Sequence, residues 1–139
     1  MKVVIDSNIF VSCMNPQSDN YIIFQKLTEG VYHLCITTDI ALEYLEVFQR
    51  KFSGAKADNL FRYLSESAFV VSTPVYFKWM LIKSDPDDNK FVDCAIASGA
   101  HFIVTNDSHF KELSTIEFPS VKCISLNDFK EILLSHNSE

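Results

Sequence analysis

The chain has 139 residues, a length that fits one domain spanning 1–139 and is enough to hide roughly two-thirds of the surface its unfolded form exposes. With 47% hydrophobic and 22% charged residues it is no disordered chain, and no apolar run approaches the roughly 18 residues a membrane span needs. A net charge of −6 argues against holding nucleic acid by bulk electrostatics, but not against a nuclease whose acids form a metal site.

The first residues, KVVID at 2–6, read as a strand buried on both faces and ending in an acid, as in a parallel sheet. Asp6 and Asn8 interrupt the apolar run, so it is not a signal peptide. Residues 7–18, with Asn15-Pro16, read as a loop. Asp19 opens a helix to about Glu29, stopped by Gly30. Residues 33–36 are a short strand or the end of a connection. Thr37 or Thr38 caps a helix to about Phe52, with Ala41, Tyr44, Leu45, Phe48 and Phe52 on one face. Gly54 separates it from a helix over about 56–66.

Residues 69–72 are a strand, and 75–83 carries no clear pattern. The run DPDD at 85–88 turns into a helix to about Ser98, closed by Gly99. A strand at 102–105, a short helical turn at 109–113 and a strand at 121–124 follow. Ser125 and Asp128 look like the capping box of a last helix to about Ser135. Strands alternating with helices predict a three-layer α/β/α fold, a parallel sheet flanked on both faces. In such sheets chemistry collects at the carboxyl ends of the strands.

Asp6 leaves the first strand directly, and Asp107 follows another in VTND. Asp93 lies in the first turns of the helix after DPDDN, and Glu43 borders the buried face of the 38–52 helix. Carboxylates converging there would repel unless a hard cation such as Mg²⁺ or Mn²⁺ joined them. Two such ions about 4 Å apart can activate water and stabilise the leaving oxygen in phosphodiester cleavage. The sequence has no Gly-rich phosphate loop, no G-x-S-x-G and no H-E-x-x-H.

MKVVIDSNIFVS, the ALEYLEVFQR helix and DPDDNKFVDCAIASGAHFIVTNDSHF together resemble the PIN domain over roughly residues 2–130. They are most similar to the VapC-like toxins of toxin–antitoxin pairs. The resemblance implies a metal-dependent endoribonuclease acting through Mg²⁺ or Mn²⁺. It carries the family's four acids onto Asp6, Glu43, Asp93 and Asp107, as catalytic and metal-binding residues. Asp88 is a further acid of this subgroup and a candidate metal ligand, although a helix cap is an equal reading of it. Asn8 and Thr105 match polar positions that bond to backbone or orient the acids. The expected partners are RNA, an antitoxin protein and a second copy of the chain, and no membrane.

Bland readings stand beside these. Asp6 and Asp107 could be turn residues and Glu43 a surface glutamate. Arg50, Lys51, Lys56 and Arg62 gather at a helix junction, as a solvated face or as an RNA or partner contact. Glu46, one turn before Arg50, reads as half of a solvated ion pair. His33, His101, His109 and His136 are scattered, and no catalytic role is read for them. The four cysteines form no C-x-x-C and read as core thiols of a cytoplasmic protein. The aromatic residues read as core, not as a base-stacking platform. Two rivals remain. One is a non-catalytic PIN-like module that binds RNA or protein. The other is a haloacid-dehalogenase-type phosphohydrolase, which needs an acid where Asn8 stands.

Overall fold

Val3, Val4 and Ile5 are all fully buried. Successive strand residues face opposite sides of a sheet, so this strand must be covered on both faces. The computed structural model, which describes residues 1–52 and 57–137, makes it the central strand β1 (Lys2–Ile5). With β2 (His33–Ile36), β3 (Val70–Ser72), β4 (Phe102–Val104) and β5 (Cys123–Ile124) it forms an all-parallel sheet in the order β3-β2-β1-β4-β5. Strands one to three are laid down in one direction and four to five in the other. The order therefore switches between β1 and β4.

Among the described residues six helices cover this sheet: α1 (Ser7–Ser12), α2 (Tyr21–Thr28), α3 (Thr38–Lys51), α4 (Ala57–Glu66), α5 (Asn89–Ser98) and α6 (Leu126–Asn137). α5 lies against β1, β2 and β4; α3 packs on α1, α4 and α5; α2 packs on α6. The segment 33–36 is a strand, and Thr37 is the cap of α3, its Oγ1 accepting from Ile40 N at 3.2 Å. Ser125 Oγ likewise accepts from Asp128 N at 3.1 Å at the start of α6. Gly99 closes α5 in the left-handed region at φ 67°, as its place at the helix end requires. The predicted Gly54 break falls outside the described residues. No helix among them is long and apolar enough to cross a membrane.

Two readings are corrected. The expected loop at 7–18 begins with α1, because Asp6 is a helix cap: its Oδ1 accepts from Asn8 N at 3.1 Å. The helix is too short for a periodic pattern to declare it, yet it buries Ser7, Ile9, Phe10 and Val11. The aromatic residues are only partly core. Phe10 stacks on Tyr44 at 4.4 Å, and Phe91, Phe110 and Phe129 are buried. Tyr76, Phe77 and Phe118, however, are 92%, 62% and 84% exposed. They lie in irregular segments, where helical spacing says nothing about burial. Cys13, Cys35 and Cys94 are buried free thiols and Cys123 is partly covered.

The patternless stretch 75–83 is a strap without helix or strand, held by side chains of α5. Ile82 donates its N–H to Asn89 Oδ1 at 2.8 Å, and Asn89 Nδ2 donates to Ile82 O at 2.9 Å. Trp79 N donates to Asp93 Oδ1 at 3.0 Å. Asn89 and Asp93, four apart, share one helix face. The strap's exit is fixed by Glu112, whose carboxylate accepts from Lys83 N and Ser84 N at 2.9 and 3.0 Å.

At the carboxyl end of β1, the fully buried Tyr44 donates its hydroxyl to Ile5 O, the carbonyl just before Asp6. Tyr44→Phe leaves that carbonyl buried without its donor. It should lower unfolding free energy by about 1–2 kcal/mol in urea titrations. An unchanged midpoint would show that the hydroxyl does not support the end of β1.

Candidate active site

Ile5 pairs with Val104, so the next residues on each strand, Asp6 and Thr105, stand side by side where the sheet order switches. This is the place at which open parallel sheets bind ligands. Asp6 N donates to Val104 O at 3.0 Å, which extends the ladder by one bond. Thr105 Oγ1 donates to Asp6 Oδ2 at 2.9 Å and accepts from Asp107 N at 3.0 Å. One hydroxyl thus ties the two acids of neighbouring strands together. Asp107 caps the 3₁₀ segment Ser108–Thr115, accepting from His109 N at 2.9 Å.

Glu43 reaches the same edge from α3. Ser7 Oγ donates to its Oε2, and Lys90 Nζ lies 2.7 Å from its Oε1. Lys90 also meets Asp87 Oδ1 at 3.0 Å. Burial works against the Lys90 charge, but its bonds to Glu43 and Asp87 hold its pKa above the ordinary lysine value. Asp88, at the N-terminus of α5, lies opposite. Its Oδ2 is buried without a hydrogen-bond partner, 3.4 Å from His109 Nδ1. That nitrogen is 3.0 Å from Asp107 and 3.6 Å from Asp85, with no aligned hydrogen bond to either.

The electrostatics follow from this crowding. Burial raises the pKa of Asp6; Asp107 and Glu43 raise it further, while the Thr105 and Asn8 hydrogen bonds pull it down. Asp88 is pushed up to about 6, first by burial, then by Asp85, Asp107 and Asp6, with His109 opposing. Asp85, Asp88 and His109 present ligand atoms within 4.8 Å of one another.

The structure therefore brings Asp6, Glu43, Asp88 and Asp107 to one edge. Asp93 lines the groove beside Glu43 and Lys90, but one of its oxygens is engaged by the strap. Asp93 is 6% exposed, its Oδ1 holds the Trp79 amide, and the charge that acts on it is that of Lys78. Five residues along a helix is well over a full turn, so Asp88 and Asp93 leave α5 in different directions. Asn8 is exposed and bonds to Asp6 through its backbone amide. Of the basic residues, Arg50 lines a groove of about 760 Å³ with Glu43, Lys78 and Lys90. Arg62 lines a separate cleft beside Thr28 and Glu66, so the two do not form one patch. Lys51 is exposed, and Lys56 lies outside the described residues. Glu46 and Arg50 form no ion pair among the described residues. The sequence reading passed over Ser7, Lys90, Asp85 and His109. A local signal existed for the last three, since Asp85 and Lys90 flank Asp88 in DPDDNK and His109 is two residues beyond Asp107.

The family model of the PIN domain matches residues 2–109. Comparison with curated proteins gives no significant sequence match. Among solved structures, a chain of VapBC2 from Rickettsia felis, solved bound to a DNA fragment from their promoter, superposes with a TM-score of 0.61. It is 18% identical, over 90% of this chain and 98% of that one. The PIN domain endonuclease Utp24 superposes with a TM-score of 0.51 at 20% identity, over 89% of this chain and 84% of that one. At such identities the likeness is one of fold. With the family match over residues 2–109, the switch-point acids and the shared parallel-sheet architecture, the chain belongs to the PIN domain family and has its nuclease fold.

Proposed function

We propose that this chain is a metal-dependent endoribonuclease that hydrolyses RNA phosphodiester bonds with Mg²⁺ or Mn²⁺, and that it is the toxin of a toxin–antitoxin pair in the cytoplasm. The observation that carries the reading is the uncompensated charge around Asp88, whose buried oxygen has no hydrogen-bond partner while Asp85, Asp107 and Asp6 press on it. A hard divalent cation fits such a donor set, because carboxylate oxygens and imidazole can ligate it and its charge removes the repulsion. The family supports nuclease chemistry, and the likeness to VapBC2 supports an antitoxin partner. A second copy of the chain is a further expected partner.

Asp6, Asp88 and Asp107 would hold the ion, with Asp85 and His109 beside them; Glu43 closes the edge from α3. When bound, a divalent ion lowers the pKa of a coordinated water and neutralises charge developing on the phosphate. Thr105 keeps Asp6 and Asp107 in register, so their oxygens need not reorganise when a cation arrives. Ser7 and Lys90 fix Glu43. Arg50 and Lys78, on the adjoining groove, suit contact with the phosphates of a passing strand. In this reading Asp88 takes the position that the sequence offers to Asp93, whose Oδ1 accepts from the Trp79 amide.

Calorimetric titration with Mn²⁺ separates these roles. Asp6→Asn and Asp88→Asn should each weaken binding at least about 10-fold and abolish cleavage of a mixed RNA pool. Asp93→Asn should leave Mn²⁺ affinity within about 3-fold and lower thermal stability instead. Undiminished cleavage by Asp6→Asn removes the carboxylate reading; no Mn²⁺ binding by the parent chain favours a non-catalytic binding module.

The pH dependence has a definite sign. Asp88 is raised from an ordinary 3.8 to about 6, so the fold prefers its protonated form. That preference is fully present below the unfolded value and is lost as pH rises through the folded one. In chelator, the Asp88 contribution should therefore favour folding at pH 5.5 over pH 7.5. The thermal midpoint of the parent should fall between those two values by more than that of Asp88→Asn, and Mn²⁺ should remove the difference. Parallel pH profiles for parent and variant would show that Asp88 is not under this strain.

A further inference from the structure

The four acids of the edge are not in equal surroundings. Asp88 and Asp107 face only a histidine, whereas Glu43 already carries a cation: Lys90 Nζ is 2.7 Å from its Oε1. Its other oxygen accepts from Ser7 Oγ, so both oxygens are engaged. Lys90 is itself held from outside by Asp87 at 3.0 Å, and its side chain is only 17% exposed. The ammonium therefore sits between α3 and α5, beside the acidic edge, on Glu43 and Asp87.

We infer that Lys90 occupies the place of a second metal ion, so that this chain binds one divalent cation, at the Asp6–Asp88–Asp107 corner, and uses Lys90 as the fixed positive charge beside Glu43. This rests on the metal-dependent reading above. Two-ion sites place their cations about 4 Å apart, bridged by shared carboxylates. A second ion drawn to Glu43 would share its Oε1 with an ammonium already within hydrogen-bond distance. Two cations on one carboxylate oxygen repel, and the ammonium cannot leave without abandoning Asp87 as well. The remaining corner has the opposite character, with acids in excess and a buried oxygen that no donor meets. Lysine suits this task because it is a compact point charge with several donors. At Glu43 it would offer a fixed charge close to the scissile phosphate.

The test is the Mn²⁺ stoichiometry of the metal-stripped chain, by calorimetry, with the Mn²⁺ electron paramagnetic resonance spectrum as a readout that does not depend on activity. The parent should bind one ion with the spectrum of an isolated Mn²⁺. Lys90→Gln, at a partly exposed helix position compatible with folding, should bind two, with the spectrum broadened by spin coupling. Lys90→Arg should keep the count at one, and so should Asp87→Asn, which leaves the Glu43 contact intact. Two ions in the parent would overturn the inference while leaving the metal-dependent reading standing. One ion in both parent and Lys90→Gln would equally overturn it, since Lys90 would not be what excludes the second. No ion in the parent would instead remove the reading on which it rests.

Discussion

Carboxylates held at one edge of a sheet repel one another, and each acid of this edge meets that repulsion differently. Asp6 is given the Thr105 hydroxyl and the Asn8 amide, and Asp107 the His109 amide. Glu43 is given Ser7 and Lys90. Asp88 is left with a histidine nitrogen at 3.4 Å and no aligned donor. The unresolved charge is thus concentrated at one corner. Burying a carboxylate without a partner costs free energy that the surrounding core must offset. The core beneath is suited to that, with Val3, Val4 and Ile5 sealed on both faces and Phe10 stacked on Tyr44 directly under the edge.

Topology decides which acids can meet. Because β4 rather than β3 lies beside β1, the residues following Ile5 and Val104 are neighbours across 99 positions of sequence. A single threonine can then bridge Asp6 to the backbone of Asp107. The crossovers that build β2 and β3 carry α3 to the same edge, and with it Glu43. The strap at 75–83 leads the chain from β3 to the 3₁₀ turn Pro86–Asp88, which presents Asp88. Asn89 and Asp93 fasten the strap and so fix the approach of that turn. Asp93 contributes to the edge in this indirect way.

Much of this was legible in the residues. The apolar run into Asp6, the helical face around Glu43 and the T-x-D after β4 each announced an acid at the carboxyl end of the sheet. What the residues do not give is the partner of a side chain. Asp93 follows a helix pattern among apolar residues, and a buried acid there looks functional until its partner is seen. That partner is the amide of Trp79, in a segment with no periodicity to read. α1 was missed for a related reason: six residues make too few turns for a pattern, and its cap is also the first acid of the edge. His109 and Lys90 were passed over because their meaning depends on Asp88, and the capping reading of Asp88 weighed equally with the metal one.

The net charge of −6 bears on the same corner. A metal-free edge of this kind repels phosphate, since its acids outnumber Lys90 as the nearby cation. A polyanion could therefore approach productively only once a divalent ion has reversed the local sign. Under the proposed reading, affinity for RNA would be conditional on the divalent ion and would not be supplied by a basic surface. Arg50 and Lys78 flank a groove whose own walls include Asp39, Glu46 and Asp87, so they can align a strand but cannot hold one by charge alone. Under that reading the coupling would be reciprocal: whatever the ion added to RNA binding, RNA would add to retention of the ion.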